Sequence, residues 1–96
     1  MIKSFADKAS RDIYDGVNSR YARKIPNVLH PKIRRLFDQI NAAPSVEFLR
    51  IPPGNRLEKL RGDLKRFWSL RINDQWRMIF EWKDNNAFKV KIADYH

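Results

Sequence analysis

Residues 67–94 read FWSLRINDQWRMIFEWKDNNAFKVKIAD, and this stretch decides the fold. Apolar and polar side chains alternate in three segments, as expected for strands that bury one face. The segments are residues 67–72, 75–82 and 87–96. Asn73-Asp74 and Asp84-Asn85-Asn86 separate them, and such residues are typical of tight turns. The stretch therefore predicts three strands joined by short turns in an antiparallel meander.

The alternation also predicts which side of each strand faces the core. On the second strand the larger apolar set is expected to meet the helices, which leaves Arg77 on the opposite, open face of the sheet. The predicted core residues are Trp76, Met78, Phe80 and Trp82 on this strand, Trp68, Leu70 and Ile72 on the strand before it, and Phe88, Val90 and Ile92 on the strand after it. We expect the three tryptophans to be core rather than ligand-stacking residues, because large aromatics dominate small cores.

The open face collects charged and aromatic side chains. Its predicted members are Arg71, Arg77, Lys89, Lys91 and Tyr95. Such a face is typical of a surface that binds RNA or phosphate, and the arginine fork suits phosphate because it donates two hydrogen bonds at once. An equally weighted alternative is a solvated outer face whose charges block aggregation.

Two helices are predicted before the sheet. Asp7 is expected to cap the first, which Gly16 ends. In the second, residues 27–44, apolar residues fall at helical spacing on one face: Leu29, Ile33, Leu36, Phe37 and Ile40. The opposite face carries Arg34, Arg35 and Asp38, and we interpret it as a solvated surface.

The ends of the second helix are also predicted. Asn27 is expected to cap it, Pro31 fits its first turn and Pro44 ends it. We expect His30 to be a surface or capping histidine that serves the local backbone.

Shorter segments complete the prediction. Residues 1–5 alternate and resemble a short edge strand, residues 50–56 are a loop, and residues 56–60 form a short strand before a turn at Gly62-Asp63. The expected fold is α+β, with two helices on one face of a small antiparallel sheet. We expect residues 1–96 to form a single domain.

Charge and composition narrow the function. The formal net charge is +9, and the first half has nine basic and five acidic residues against eleven and six in the second. A charge spread over the whole chain indicates a polyanionic partner, nucleic acid above all, although a merely soluble basic protein is the plainer alternative.

Residue types exclude several chemistries. The chain has no cysteine, which excludes disulfides and thiolate nucleophiles, and its two histidines, His30 and His96, lack metal-binding spacing. No cofactor and no metal are therefore expected. No signal peptide and no apolar run of about 20 residues is evident, so we expect a cytoplasmic protein with no membrane partner.

Three motifs carry a family resemblance that covers essentially the whole chain. Together RIPPGNRLEKLRGD at 50–63, FWSLRINDQWRMIFEW at 67–82 and the final DYH at 94–96 resemble the HigB-like toxins (plasmid maintenance killer proteins) of the RelE superfamily. The resemblance implies two helices against an antiparallel sheet. It also implies a ribosome-dependent endoribonuclease that cleaves mRNA in the decoding site. A cognate helix-turn-helix antitoxin would neutralise the toxin by direct binding.

The resemblance also implies an active site. The matching positions are Arg61, Arg77, Asp94, Tyr95 and His96. Some family members have a histidine where this chain has Glu58, so a second histidine acid or base is not expected here. Arg61 stands where lysine is frequent, and arginine does not give up its proton.

A mechanism follows as a hypothesis. The ribose 2′-OH is the nucleophile, so the protein must remove its proton, stabilise charge on the phosphate and protonate the leaving oxygen. Arg77 and Arg61 are expected to clamp the phosphate, and His96 to transfer protons. Asp94 would orient His96 or act as the base, and Tyr95 would stack on a base or bond the phosphate. Candidate contacts to RNA are Lys59, Lys65, Arg66, Arg71, Lys89 and Lys91.

Two other functions are weighed. The chain could inhibit growth by binding RNA or the ribosome without cleaving anything, and the absence of a histidine at Glu58 keeps this alternative open. A DNA-binding regulator is disfavoured because the sequence shows no helix-turn-helix pair, so direct sequence-specific DNA binding by this chain is not expected.

Overall fold

The computed structural model describes residues 1–94. Two α-helices precede a four-stranded antiparallel sheet with the spatial order β1-β2-β3-β4. The elements are α1 Lys8–Asp15, α2 His30–Ala42, β1 Glu58–Lys59, β2 Phe67–Arg71, β3 Trp76–Lys83 and β4 Asn86–Asp94. Short 3-10 turns occupy Ala22–Lys24, Asn27–Leu29, Val46–Arg50, Pro53–Asn55 and Gly62–Leu64. The predicted α+β class is confirmed.

One face of the sheet, the core face, packs against the helices. Leu70, Met78, Phe80 and Val90 are completely buried there. The predicted apolar stripe of α2 joins this core through Ile33, Leu36, Phe37 and Ile40, with Leu29 half-buried beside it. Trp68, Trp76 and Trp82 pack against the cluster as partly buried residues. Their assignment to the core side is confirmed.

The helix ends agree with the sequence at α1 and partly at α2. The Asp7 carboxylate accepts a hydrogen bond from the backbone N–H of Ser10, and Gly16 ends α1 with φ of 76°. Pro31 lies in the first turn of α2, as predicted. Asn27 is not its cap, because the 3-10 turn Asn27–Leu29 comes first and delays the helix to His30. No helix of residues 1–94 has the length and hydropathy to span a membrane.

His30 is buried, with 8% of its surface exposed, so the prediction of a surface histidine is wrong. Its Nε2 lies 2.9 Å from the carbonyl oxygen of Ile25 and donates to it. The ring therefore serves the local backbone, as expected, by closing the turn that leads into α2.

A β-bulge in β4 changes which residues face the core. Ile79 pairs with Lys91 but Glu81 pairs with Phe88, so β4 holds one extra residue between them. Lys89 takes up the extra residue with φ of 53°. Phe88 therefore lies on the open face beside Glu81, and Ala87 is the residue that is fully buried. The prediction that Phe88 faces the core is wrong, since strict alternation cannot anticipate a bulge.

The free edge of β4 is covered by the start of the chain. Ile2 and Phe5 form isolated parallel bridges with Ala87 and Val90, which confirms the predicted edge position of residues 1–5. Both side chains pack against the core. Further along, the Ser10 hydroxyl of α1 accepts from the backbone N–H of Ile92 at 2.9 Å. These contacts satisfy an edge that would otherwise invite pairing with another chain.

Candidate active site on the open face of the sheet

Strand register arranges the open face in three rows that cross the sheet. The arginine row contains Arg71, Arg77 and Ala93; the middle row contains Glu58, Ser69, Ile79 and Lys91; the far row contains Phe67, Glu81 and Phe88. Cross-strand neighbours in such rows have Cβ atoms about 5 Å apart. Each row therefore brings together side chains that are distant in sequence.

The arginine row contains the first predicted catalytic residue. Arg77 is half-buried on β3, between Arg71 of β2 and Ala93 of β4. Arg71 also forms an ion pair with the exposed carboxylate of Asp74 in the following turn. Two guanidinium groups therefore lie side by side at one end of the open face, and a guanidinium suits a phosphate group because it can donate two parallel hydrogen bonds.

Asp94 lies at the same end of the sheet. It pairs with Trp76, the residue before Arg77, and its Oδ2 accepts from the Nε2 of Gln75 at 3.2 Å. The side chain is exposed. The β3–β4 pairing thus places Asp94 at the end of the sheet where Arg77 lies, but in the row of Trp76, which has the opposite facing to Arg77. Tyr95 and His96, the two other predicted catalytic residues of this segment, lie outside the described residues.

Arg61 lies at the other end of the sheet. The N–H of Leu60 bonds to the carbonyl oxygen of Phe67, so Arg61 follows directly after the far row. Four residues of β3 separate that row from Arg77, which corresponds to about 13 Å at about 3.3 Å per residue. A single phosphate held by both arginines would have to lie over the middle row.

The middle row is more enclosed than the alternation suggests. Ile79 and Ser69 are only 3% and 1% exposed, although both point away from the helices. The Ser69 hydroxyl is buried without a hydrogen-bond partner among the described residues. Glu58 faces Ser69 from β1, and Lys91 completes the row. Sequence reasoning assigned Ser69 no role, because a lone serine on a strand carries no motif.

The predicted RNA contacts on β4 are divided between two rows. Lys91 is half-buried in the middle row, next to the arginine row. Lys89 lies at the bulge, and its Nζ is 3.7 Å from the carboxylate of Glu81 in the far row. Lys89 therefore belongs to the end of the sheet opposite Arg77.

The remaining predicted contacts lie beyond the open face. Lys59 pairs with Trp68, and its Nζ lies 4.9 Å from the centroid of that indole, on the core side of the sheet edge. Lys65 and Arg66 are exposed just after the turn Gly62–Leu64. These three cations form a border around the far end of the sheet rather than part of its rows.

Sequence reasoning also missed a basic pocket beside the arginine row. Lys32 and Arg35 of α2 line it together with Arg71. The sequence signal was available, because residues three apart on a helix share a face. We interpreted the charges of α2 as solvated, since nothing in the sequence indicates that Arg71 approaches them.

The comparisons with known proteins agree with this fold. The family model described as the RelE-like toxin of the type II toxin–antitoxin system HigB matches residues 3–96. The chain is therefore a RelE-like toxin of a type II toxin–antitoxin system. Within that class it belongs to the HigB-like toxin family.

Two relatives match nearly their full lengths. Toxin HigB-1 of Vibrio cholerae is 39% identical over 90 residues, which cover 94% of this chain and 93% of that protein. Endoribonuclease HigB of Proteus vulgaris is 29% identical over 101 residues and is covered completely, as is this chain.

Solved structures share the fold at low identity. The YoeB–YefM complex from Staphylococcus aureus contains a chain with TM-score 0.63 and 20% identity, with 100% of this chain and 98% of that chain covered. YafQ from E. coli has TM-score 0.58 and 14% identity, with 98% and 93% covered. Both likenesses concern the backbone fold.

Proposed function

We propose that this toxin is a ribosome-dependent endoribonuclease that cleaves mRNA, inhibits translation and arrests growth in the cytoplasm. The observation that carries the proposal is the arginine row, where Arg77 lies between Arg71 and Ala93 at the end of the sheet that also holds Asp94. The name of the Proteus vulgaris relative, Endoribonuclease HigB, supports the reaction class. A cognate antitoxin of the helix-turn-helix class would neutralise the enzyme by direct binding.

The proposed chemistry needs no metal ion. The ribose 2′-OH attacks the adjacent phosphorus, a 2′,3′-cyclic phosphate forms and the 5′ oxygen leaves with a proton. Arg77 stabilises the charge that develops on the phosphate, since a guanidinium forms two parallel hydrogen bonds to phosphate oxygens. Arg61 approaches the same backbone from the far end of the open face.

Proton transfer is assigned to the segment that follows β4. His96 is the proposed proton-transfer group, because an imidazole can both accept and donate a proton near neutral pH. Asp94 orients His96 or acts as the base, and Tyr95 stacks on a base or bonds the phosphate. The basic residues around the open face would hold the RNA backbone: Lys59, Lys65, Arg66, Arg71, Lys89 and Lys91.

Induced expression in growing cells tests the site. Arg77→Ala is expected to abolish growth arrest, and Arg77→Lys to recover little of it, because an ammonium lacks the bidentate fork. A chain that ends at Asp94 should also be inactive. The matched control is Lys83→Ala, which removes an exposed cation from the end of the same strand. Arrest as strong as the parent's in the Arg77→Ala strain would refute the assignment.

Primer extension on mRNA from arrested cells separates cleavage from passive binding. New 5′ ends within translated codons, absent in the Arg77→Ala strain, are expected for an endoribonuclease. Growth arrest with intact transcripts would instead support the alternative, a growth inhibitor that binds RNA or the ribosome without cleaving.

A further inference from the structure

A cavity of about 390 Å³ lies between α2 and the turn Pro53–Asn55, beside the end of β2. We call it the α2 pocket. Lys32, Arg35 and Gln39 of α2 line one side, Asn55 lines another and Arg71 lines the side nearest the sheet. Lys32, Arg35 and Gln39 are three and four residues apart, so they project from one face of the helix.

The polar groups of the α2 pocket are suited to an anion. Three cations line it, and no carboxylate of residues 1–94 does so. Asp38, the acid of α2, lines a different cavity beside Tyr14 and Arg34. Asp74 compensates only Arg71, so the cations at the pocket still outnumber the carboxylates beside it, which raises the local concentration of anions.

Buried hydrogen bonds fix the shape of the pocket. Asn55 is 5% exposed, and its Nδ2 donates to the Oε1 of Gln39 at 2.8 Å and to the carbonyl oxygen of Leu49 at 3.1 Å. Because the Oε1 of Gln39 accepts from Asn55, the donor end of this amide is its Nε2, and Gln39 lines the pocket. The arrangement thus supplies a neutral donor in addition to the cations.

Arg71 connects the α2 pocket with the arginine row. It is the register partner of Arg77 on the open face, and it also lines the pocket. β1 pairs with β2 only at Trp68 and Ser69, so Arg71 lies where the sheet edge is not covered by a strand. Its ion-pair partner Asp74 is 98% exposed, and exposed pairs are weak enough to exchange for a phosphate.

We propose that the α2 pocket binds a backbone phosphate of RNA, outside the cleavage centre and continuous with it through Arg71. The proposal rests on the proposed function, because it takes the RNA on the open face as its starting point. A strand whose phosphate lies at Arg77 passes Arg71 at the uncovered edge and meets Lys32 and Arg35 next. An acidic protein segment would satisfy the same cations, but the continuity with the arginine row favours RNA.

The test compares two double variants that each remove two positive charges. Lys32→Ala/Arg35→Ala changes the α2 pocket. Lys3→Ala/Lys83→Ala changes two exposed lysines near the β3–β4 turn, at the opposite end of the sheet from Arg71. Binding of a fluorescent single-stranded 2′-O-methyl RNA is measured by anisotropy across a salt series. This probe cannot be cleaved by 2′-OH attack, so the measurement is independent of catalysis.

The pocket variant is expected to bind the probe about tenfold more weakly, and its slope of log affinity against log salt should fall by about 0.7 to 1.4. The control pair should change affinity by less than about threefold. Lys32→Arg/Arg35→Lys keeps the charges and should bind like the parent. Thermal unfolding of each variant confirms that the helix surface, not the fold, has changed.

A second measurement distinguishes whether the phosphate belongs to the message strand or to ribosomal RNA. Each variant is sedimented with ribosomes, and the bound fraction is compared with that of the parent. Loss of probe binding and of ribosome binding assigns the pocket to the message strand. Loss of ribosome binding with intact probe binding assigns it to ribosomal RNA, and both results support the proposal. Equal behaviour of the two double variants in both assays overturns it, and loss of antitoxin co-purification in the pocket variant alone would then assign the cations to an acidic protein segment. Growth arrest that persists in the Arg77→Ala strain would refute the proposed cleavage site, but it would leave the binding results for the α2 pocket unchanged.

Discussion

Side chains alternate between the two faces of this sheet, and the two faces differ in burial and charge. On the core face Met78 and Phe80 have no exposed surface and pack against α2. On the open face Arg77 and Lys91 remain half-buried among charged neighbours. The comparison teaches that burial of apolar area on the core face stabilises the fold. The open face can therefore carry charged residues that contribute to binding or catalysis rather than to stability.

The largest expected effect is on the core face. Phe80→Ala should lower the free energy of unfolding by about 3–5 kcal/mol, because it removes a fully buried ring and leaves a cavity. Urea unfolding followed by circular dichroism measures the loss. A change below about 1 kcal/mol would show that the core face does not carry the stability.

The neighbouring position gives the matched comparison on the open face. Ile79 is 3% exposed but lies outside the main core cluster, between Ser69 and Lys91. Ile79→Ala is expected to cost about 2 kcal/mol, the lower end of the range for such truncations, because flexible charged neighbours can close over the gap. The same urea titration applies, and equal losses at Phe80 and Ile79 would remove the distinction between the faces.

A smaller effect on stability is expected at the β-bulge, which determines the face on which Phe88 lies. Lys89 has φ of 53°, a conformation that glycine adopts without strain. Lys89→Gly should therefore be more stable than Lys89→Ala by about 1 kcal/mol, and both lose the same ion pair with Glu81. Greater stability of the alanine variant would contradict the bulge geometry.

The smallest effect concerns a charge that is buried on the helix side, in contrast to the half-buried charges of the open face. Asp12 is 4% exposed, and a hydrogen bond from the Ser19 hydroxyl at 2.6 Å holds the pKa of its carboxyl below the usual value. Burial opposes this shift, and the ammonium of Lys8 adds to it. The carboxylate therefore stabilises the fold above about pH 4, and this contribution is lost as pH falls toward the lowered pKa.

Asp12→Asn tests this contribution with almost no change in shape. Urea midpoints at pH 7 and at about pH 3.5 should differ less in the variant than in the parent. Identical pH dependence in the two proteins would mean that Asp12 does not contribute to acid unfolding.

The members of the site could be predicted from the sequence where side chains alternate regularly between the two faces of a strand. Alternation put Arg77, Arg71 and Lys91 on one face, and the register confirms this. The alternation gave the wrong face for Phe88, because the bulge depends on how β4 fits between β3 and the start of the chain. It also could not reveal that Arg61 and Arg77 lie at opposite ends of the sheet, since separation along paired strands is set by register.

The α2 pocket was even less predictable from the sequence. Lys32 and Arg35 share a helix face in the sequence, but Arg71 comes from a strand more than thirty residues later. Only the packing of α2 beside the uncovered edge of β2 brings the three cations to one cavity. The catalytic roles of Arg61, Arg77, Asp94, Tyr95 and His96 stay predictions until the variants are measured.

By itself the sequence determined the fold class, the helix faces, the turns and the core face of the sheet. Local periodicity and turn chemistry act over a few residues, so they can be read directly from the chain. The tertiary structure decided the register of the rows, the bulge at Lys89, the burial of His30 and the cations around the α2 pocket. These features depend on contacts between residues that are distant in sequence, and the free energy of such contacts is defined only when the elements pack together.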